Sequence, residues 1–311
     1  MADTNLFLLA APRSGSTQLA AWLSTHSDIS CTFVKEPNYF SSHEFSDEYV
    51  RKSHLNDIDP KKITDVKSHL GKSYQFAIFR KPEQYQVLTD ALTSRYRMDA
   101  STTYLHCPEA IDRILDYNPD AKFIVLLRDP LARLISHYRL AIRTGRENRS
   151  LAECLKAEDK GLERLEARFL IRQSLYYEAI SRVVNTVPKD RLKIVLFEEV
   201  ISDPIEALAS IGEFLQIDPS GFELSVQEKN EGVAPRFPAI NRFIAVTGIK
   251  TYLRSILPKK YKEKLKGFYF SDKKIEVDVE SLSAYKEKFN TDFEGLIDFI
   301  PKIKKYWKVE G

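Results

Sequence analysis

The chain has 311 residues, of which 43% are hydrophobic and 29% are charged, and it contains 11 Gly and 14 Pro. This composition excludes a disordered tail, a collagen and a small disulfide-stapled scaffold, and it suits one large α/β domain spanning residues 1–311. The 47 Lys and Arg residues nearly balance the 44 Asp and Glu residues, so the net charge of +3 gives no general reason to expect nucleic-acid binding.

Cysteine usage and short apolar runs indicate the compartment. Cys31, Cys107 and Cys154 form no CxxC pair, which favours a reducing environment and buried thiols over structural zinc. The apolar run Leu6–Ala11 has six residues, too short for a signal-peptide core. No other run approaches the roughly 20 residues that a membrane span needs. We therefore expect a cytoplasmic protein with no transmembrane segment.

The first predicted element is a buried strand at Leu6–Ala11, because an uninterrupted apolar run is typical of a strand covered on both faces. It leads through PRSGST into a helical pattern from Thr17 to Thr25, with Leu19, Trp22 and Leu23 on one face. A strand, a glycine-containing turn and a helix in this order predict a phosphate-binding loop.

Two further apolar runs repeat this pattern. Phe123–Leu127 is followed by Asp129, which can cap a helix that begins at Pro130. Leu192–Phe197 precedes a second capped helix that starts after Asp203 and runs to about Leu215. The helix after Pro130 carries an apolar stripe of Leu131, Leu134, Ile135, Tyr138 and Ile142.

Alternating strands and helices predict an α/β fold, a P-loop-type parallel sheet flanked by helices on both faces. Residues 41–100 are polar and mixed, and we expect short helices laid over the sheet there. The end of the chain, Tyr285 to Trp307, is predicted to be one long helix with a docked terminus.

The loop after the first strand differs from a nucleotide triphosphatase loop, because it lacks both the first Gly and the Lys that follows the second Gly. A cation, Arg13, lies two residues before Gly15 instead. Backbone N–H groups at a helix start, together with hydroxyls, can still bind an anion, although an ordinary Pro/Gly turn is the alternative. The candidate anion-binding residues are Arg13, Ser14, Gly15, Ser16, Thr17 and Gln18.

A second anion site is predicted at the turn after Leu127. Arg128 stands in this turn, and Ser136, Arg139 and Arg143 share a polar face of the following helix. A guanidinium with a hydroxyl suits a phosphate, and a solvated basic face is the alternative. Two such sites at neighbouring strand ends suit a nucleotide that carries anions at both ends.

These residues resemble the sulfotransferase superfamily that uses 3′-phosphoadenosine-5′-phosphosulfate (PAPS). AAPRSGSTQLAAWL (10–23) is similar to its 5′-phosphosulfate loop, with Arg13 at the position of a Lys or Arg. FIVLLRDPLARLISHYRLAIR (123–143) is similar to its 3′-phosphate element, with Arg128 and Ser136. Segments 98–114, 192–217 and 282–307 also fit, and 228–243 matches loosely, with Asn230 and Arg236 as candidate nucleotide contacts.

The resemblance is closest to the glycan and bacterial sulfotransferase branch. KEPNYF (35–40) resembles its Lys-Glu-x-His-Phe-Phe segment, with Asn38 where that branch often has His. This resemblance implies an enzyme that moves a sulfuryl group from PAPS to a hydroxyl or amine, releases adenosine 3′,5′-bisphosphate and requires no metal. Arg13 would neutralise the charge on the leaving phosphate, and Glu36 would be the base, with His106 as the second choice. An ordinary surface carboxylate is the alternative for Glu36.

Several alternatives stay open. A P-loop kinase or ATPase would share the fold, and a non-catalytic nucleotide-binding protein would share the anion sites. The acceptor could be a glycan, a lipid-linked sugar or a small metabolite, bound by loops within 38–100 and 228–270. The segment Lys250–Lys266 holds seven cations and one acid, which predicts either a peripheral membrane contact near the acceptor entrance or a solvated helix face. The oligomeric state is not predicted.

Overall fold

A computed structural model gives the arrangement of most of the chain. It describes residues 3–65, 67–69, 72–90, 92–161, 169–224, 233–235, 242, 244, 247 and 270–307. The candidate residues Asn230 and Arg236, and the cationic segment Lys250–Lys266, lie outside the described residues.

A five-stranded parallel sheet forms the centre of the fold. Its strands are β1 (Leu6–Ala10), β2 (Ile29–Cys31), β5 (Tyr96–Asp99), β6 (Lys122–Leu127) and β7 (Leu192–Leu196). They are arranged in the order β2-β5-β1-β6-β7, and each neighbouring pair is parallel. In the register of the central pair, Leu6 lies opposite Lys122 and Ala10 opposite Leu126. The predicted α/β class with a parallel sheet is confirmed.

Helices cover both faces of this sheet. Every residue of β1 is therefore buried, because successive side chains of a strand point to opposite faces. Leu6 and Leu8 pack in one hydrophobic cluster with helices α1 (Ser16–Leu23) and α9 (Pro204–Leu215). Phe7 and Leu9 pack in the other cluster, whose helices are α3 (Pro82–Thr89), α4 (Ala110–Tyr117), α7 (Tyr177–Thr186) and α10 (Lys286–Ile297).

The remaining described elements lie around this framework. The helices are α2 (Asp47–Lys52), α5 (Pro130–Thr144), α6 (Leu151–Asp159), α8 (Phe197–Ser202) and α11 (Ile303–Tyr306). Strand β3 (Val34–Glu36) pairs in parallel with β4 (Tyr74–Phe76), and β8 (Val233–Pro235) pairs antiparallel with β9 (Phe270–Lys274). None of the helices within these ranges is both long and apolar enough to cross a bilayer.

The predicted helix starts are confirmed by their caps. The Asp129 carboxylate accepts a hydrogen bond from Ala132 N at 2.7 Å, and helix α5 begins at Pro130. The Asp203 carboxylate accepts from Glu206 N at 3.0 Å at the start of α9. The apolar stripe of α5 packs as predicted, in a third hydrophobic cluster with α6.

Two expectations need correction. Residues 41–100 contain more than short helices, because β5 lies inside the main sheet and β4 extends β3. The apolar signal of β5 is broken by Arg97 and Asp99, so the segment lacks the continuous run of a buried strand. The chain end is not one long helix, because α10 ends at Ile297 and the four-residue helix α11 follows it. Trp307 after α11 is buried, as the predicted docked end implied.

Candidate active site

The carboxyl ends of the parallel strands bring four connections to one edge of the sheet. Residues 11–15 follow β1, residues 100–103 follow β5, Arg128 and Asp129 follow β6, and Phe197 follows β7. Ligands of open α/β sheets bind at this edge, where the chain leaves a central strand toward opposite sides. All of the described residues that we predicted to bind the nucleotide lie on these connections or on the helices that begin there.

The loop after β1 has a strained backbone. Arg13 has φ 76° and Gly15 has φ 93°. Both values lie in the left-handed region that residues other than glycine rarely adopt. A Cβ atom on Gly15 would lie 2.5 Å from Phe197 Cδ2, so the loop passes directly against this ring. The loop therefore needs glycine at position 15 for both its backbone conformation and its packing.

Some of the predicted backbone donors already form hydrogen bonds within the protein, and others at the start of α1 have no acceptor within that helix. Ser14 N donates to Ala11 O at 3.2 Å, and Gln18 N donates to Gly15 O at 3.0 Å, so both amides form hydrogen bonds within the protein. Helix α1 begins at Ser16, and the first N–H groups of a helix have no acceptor within that helix. The Ser16 side chain is buried and that of Thr17 is exposed. The amides best placed to meet an anion are those at the start of α1.

The two predicted anion sites are joined by hydrogen bonds. Arg13 Nε donates to Ser136 Oγ at 3.2 Å, and Arg128 Nη1 donates to Arg13 O at 2.9 Å. The Arg128 guanidinium also stacks on the Phe197 ring at 4.5 Å from its centroid. Phe197, which the sequence analysis did not single out, thus supports both the loop at Gly15 and the guanidinium at Arg128.

Positive charge is concentrated at this edge. Burial, with Arg143 and Arg128 nearby, lowers the pKa of Arg13 to about 10. Burial also lowers the pKa of Arg133 to about 10, and its guanidinium donates to Pro12 O at 3.1 Å beneath the loop. Like charges at short range destabilise one another, so a bound anion would relieve their repulsion.

One donor at this edge, Arg128 Nε, is buried without a hydrogen-bond partner among the described residues. The buried hydroxyl of Ser14 interacts with that of Tyr176. Leaving a buried donor unpaired costs about 1–3 kcal/mol, which a ligand that accepts from it can recover. The unpaired Arg128 Nε and the cluster of guanidinium groups fit a ligand with phosphate groups.

Glu36 lies at the end of β3, where both of its carboxylate oxygens accept hydrogen bonds. Lys35 Nζ donates to Oε1 at 2.7 Å, and Thr102 Oγ1 donates to Oε2 at 2.7 Å. The Glu36 side chain is 13% exposed and that of Lys35 is 8% exposed. Glu36 is therefore a largely buried carboxylate whose two oxygens both accept hydrogen bonds. This environment argues against the alternative that Glu36 is an ordinary surface carboxylate.

Asn38, which replaces the His of the resembling branch, is fully buried and has φ 51°. Its Nδ2 donates to Glu36 O at 2.6 Å and to Ala77 O at 3.1 Å, and its Oδ1 accepts from Thr103 Oγ1 at 2.8 Å. The side chain thus braces the backbone that carries Glu36. In this structure Asn38 has a positioning role.

His106 is held apart from this group. Its Nε2 donates to Leu175 O at 3.1 Å, so Nδ1 is the atom that could take a proton, and Nδ1 is buried without a partner among the described residues. Burial lowers the pKa of His106 to about 3. None of its described contacts is to the loop after β1 or to Glu36, and this geometry disfavours His106 as the base.

Trp307, near the end of the chain, is linked to the site through Glu198. The sequence pattern did not single out Glu198. Glu198 Oε1 accepts from Asp129 N at 3.0 Å, and Oε2 accepts from Trp307 Nε1 at 3.0 Å. Glu198 therefore links the turn that holds Arg128 to the docked terminus. The signal available in the sequence was the acidic residue directly after Phe197 at the end of β7.

The fold and the site define an α/β protein with an anion-binding loop at the carboxyl edge of a parallel sheet. A model of the sulfotransferase family matches residues 5–220. The chain belongs to the sulfotransferase family, as its resemblance to that superfamily implied.

Similar proteins of known class agree with this assignment. The chain is 20% identical to carbohydrate sulfotransferase 15 of Mus musculus over 274 residues, which cover 76% of this chain and 47% of that protein. It is 25% identical to heparan sulfate glucosamine 3-O-sulfotransferase 5 of Mus musculus over 125 residues, 39% of this chain and 36% of that protein. The matched parts are thus less than half the length of these relatives.

A solved structure shares the fold. It is a sulfotransferase from Alicyclobacillus acidocaldarius, 26% identical, with a TM-score of 0.60 over 74% of this chain and 88% of that one. The similarity extends over most of the solved chain, so the described architecture is that of a sulfotransferase.

Proposed function

We propose that this protein transfers a sulfuryl group from PAPS to a hydroxyl or amine of an acceptor and releases adenosine 3′,5′-bisphosphate. The observation that carries the proposal is the direct junction of two anion sites through Arg13, Ser136 and Arg128. A nucleotide with a phosphosulfate at one end and a 3′-phosphate at the other fits two adjacent cationic sites better than a single terminal phosphate chain does.

The loop after β1 would hold the phosphosulfate. The amides at the start of α1, the hydroxyls of Ser14, Ser16 and Thr17, and the Arg13 guanidinium supply the donors, and Gly15 allows the close approach of the backbone. Arg128 and Ser136 would bind the 3′-phosphate. Gln18, Asn230 and Arg236 remain candidate contacts from the sequence, the last two outside the described residues.

The reaction breaks the bond between sulfur and the bridging oxygen while a bond forms between sulfur and the acceptor oxygen or nitrogen. By analogy with loose phosphoryl transfer, catalysis relies on positioning and on stabilising charge. Arg13 would stabilise the negative charge that develops on the departing phosphate. Glu36 would accept the acceptor's proton, because it is a carboxylate held in place by Lys35 and Thr102.

Binding and turnover test the proposal. Calorimetry should show tighter binding of adenosine 3′,5′-bisphosphate than of Mg·ATP, and labelled PAPS should transfer its sulfuryl group to a member of a panel of glycans, lipid-linked sugars and small metabolites. Preference for Mg·ATP would favour a P-loop kinase or ATPase. Tight binding of the bisphosphate without transfer to any acceptor would favour a non-catalytic nucleotide-binding protein.

A further inference from the structure

Lys35 connects the loop after β1 to Glu36. Its ammonium group donates to Glu36 Oε1 at 2.7 Å, to Ala100 O at 3.2 Å and, at the long end of the hydrogen-bond range, to Ser16 Oγ at 3.4 Å. These acceptors come from three parts of the fold: Glu36 ends β3, Ala100 follows β5, and Ser16 begins α1 after the loop that follows β1. They match the three N–H donors of an ammonium group.

The contact with Ser16 orients that hydroxyl. Because Ser16 Oγ accepts a hydrogen bond from Lys35, its own proton is free to point toward an anion at the start of α1. Lys35 thereby places a positive charge one hydroxyl group away from the loop that we propose holds the phosphosulfate. The hydrogen bond from Lys35 to an oxygen of Ser16 also makes that hydroxyl a stronger donor.

The burial of Lys35 makes this charge effective. The side chain is 8% exposed, so water screens its field weakly, and electrostatic stabilisation of a transition state is greatest in such enclosed sites. The same ammonium group contacts the proposed base, Glu36, and the hydroxyl of Ser16 at the start of α1, where we propose that the phosphosulfate binds.

We infer that Lys35 is a positioning residue for sulfuryl transfer, acting through Ser16 on the phosphosulfate and through Glu36 on the base. This inference rests on the proposed function. In the transfer, the sulfur–oxygen bond to the phosphate breaks with its electron pair staying on the phosphate, the acceptor atom bonds to sulfur, and its proton passes to Glu36. Lys35 takes no covalent part in the reaction and holds Ser16 and Glu36 in place through its hydrogen bonds.

Lys35→Met tests the inference, because methionine keeps the length of the apolar stem and removes the charge. We expect kcat with PAPS to fall about 10²–10³-fold, the range for losing one preorganised donor at a transition state. The Kd of adenosine 3′,5′-bisphosphate, which has no sulfuryl group, should change less than threefold. A merely structural role would weaken this ligand as well.

Lys122→Met is the matched control. Lys122 is a half-buried lysine at the opposite end of β6, where its Nζ donates to Phe214 O at 3.0 Å. Its loss should leave kcat and nucleotide affinity unchanged. Thermal unfolding of both variants shows whether each has folded.

Ser16→Ala is a second variant, and it tests the inference if Lys35→Met fails to fold. It should lower kcat about 10- to 100-fold, and the double variant should lose little more than Lys35→Met alone, because both remove the same path. Unchanged kcat in Lys35→Met, or multiplicative losses in the double variant, would overturn the inference. If the unaltered protein binds neither PAPS nor the bisphosphate, the proposed function itself fails.

Discussion

Arg13 and Ser136 are 123 residues apart in the chain and are joined by a hydrogen bond of 3.2 Å from the guanidinium Nε to the hydroxyl oxygen. The bond is possible because β1 and β6 are neighbours, so the loop after β1 and helix α5 start side by side. Arg128 strengthens the junction by donating to the Arg13 carbonyl. One nucleotide bound across this junction would meet both guanidinium groups at once.

Arg128→Ala should therefore weaken adenosine 3′,5′-bisphosphate selectively. A hydrogen bond to a charged group is worth about 1.5–3 kcal/mol, and we expect a loss of this size for the bisphosphate. Adenosine 5′-phosphosulfate, which lacks the 3′-phosphate, should bind almost as before. Isothermal titration calorimetry with both ligands measures the difference.

Arg95→Ala is the control for this prediction. Arg95 directly precedes β5, at the edge of the sheet opposite to the site, and its Nη1 donates to Gln216 O at 2.8 Å. Its removal should leave both affinities unchanged. Equal losses of the two ligands in Arg128→Ala would contradict the assignment of a 3′-phosphate site.

Glu36→Gln should lower turnover about 10²–10⁴-fold, because glutamine keeps the shape of the side chain but cannot take the acceptor's proton. Affinity for adenosine 3′,5′-bisphosphate should stay within a few-fold. His106→Ala should keep its turnover if it folds, since the imidazole is held on the Leu175 carbonyl. Steady-state kinetics of the two variants decides between the bases: an active Glu36→Gln with an inactive, folded His106→Ala would make His106 the base.

The parts of the fold that the sequence predicted are those with a strong local signal. Strand β1 is an unbroken apolar run, and β6 and β7 are apolar apart from Lys122 and Lys193. The capping carboxylates of Asp129 and Asp203 mark helix starts by a local interaction. Strand β5 carries a buried carboxylate, Asp99, whose partners are Tyr85, Ser101 and Tyr104. A buried acid is tolerated only where such partners surround it, and one of them, Tyr85, lies on helix α3, so the sequence of β5 alone could not reveal it.

The candidate site also combines features that the sequence indicates with features that only the structure shows. The proximity of Arg13, Arg128 and Ser136 follows from strand order, which the pattern of parallel strands indicates. The role that we infer for Lys35 does not follow from the sequence pattern, because a lysine next to a glutamate in the chain is most simply a solvent-exposed pair. Its contacts with Ser16 and Ala100 exist only once β3 lies beside the loop and β5. Likewise, the bond between Trp307 and Glu198 joins residues 109 positions apart.

Gly15→Ala should destabilise the fold, because the new methyl group meets two penalties. The left-handed backbone costs about 1–2 kcal/mol with a side chain, and the overlap with Phe197 adds about 1–3 kcal/mol of overpacking. Gly161→Ala isolates the first penalty, because Gly161 has φ 67° and no atom of the described residues lies within 4 Å of its added Cβ. Urea unfolding should therefore give a larger loss for Gly15→Ala, and equal losses would show that the Phe197 contact is unimportant.

We expect the free energy of unfolding to depend on pH through Asp99. Burial raises the pKa of Asp99 from 3.8 to about 6, outweighing the hydrogen bonds from Ser101, Tyr104 and Tyr85. Below pH 3.8 the carboxyl group is protonated in both the folded and the unfolded chain, so it contributes no pH dependence. Between pH 3.8 and about 6 the folded chain holds a proton that the unfolded chain has released, so the free energy of unfolding falls as the pH rises.

Asp99→Asn removes this titration, while the other ionisable groups cancel in the comparison. The free energy of unfolding of the unaltered protein minus that of the variant should therefore fall by about 3 kcal/mol from pH 3.5 to pH 7, and it should be level above pH 7. Urea unfolding across this pH series measures it. Glu147→Gln is the control of opposite sign. Burial alone would raise the pKa of Glu147, but the hydrogen bonds from Arg149 and Asn148 together outweigh it and lower the pKa to about 2. The contribution of Glu147 is therefore present above pH 4.5 and is lost as the pH falls toward 2. A difference for Asp99→Asn that stays flat or rises with pH would show that this carboxyl group is ionised at its ordinary pKa.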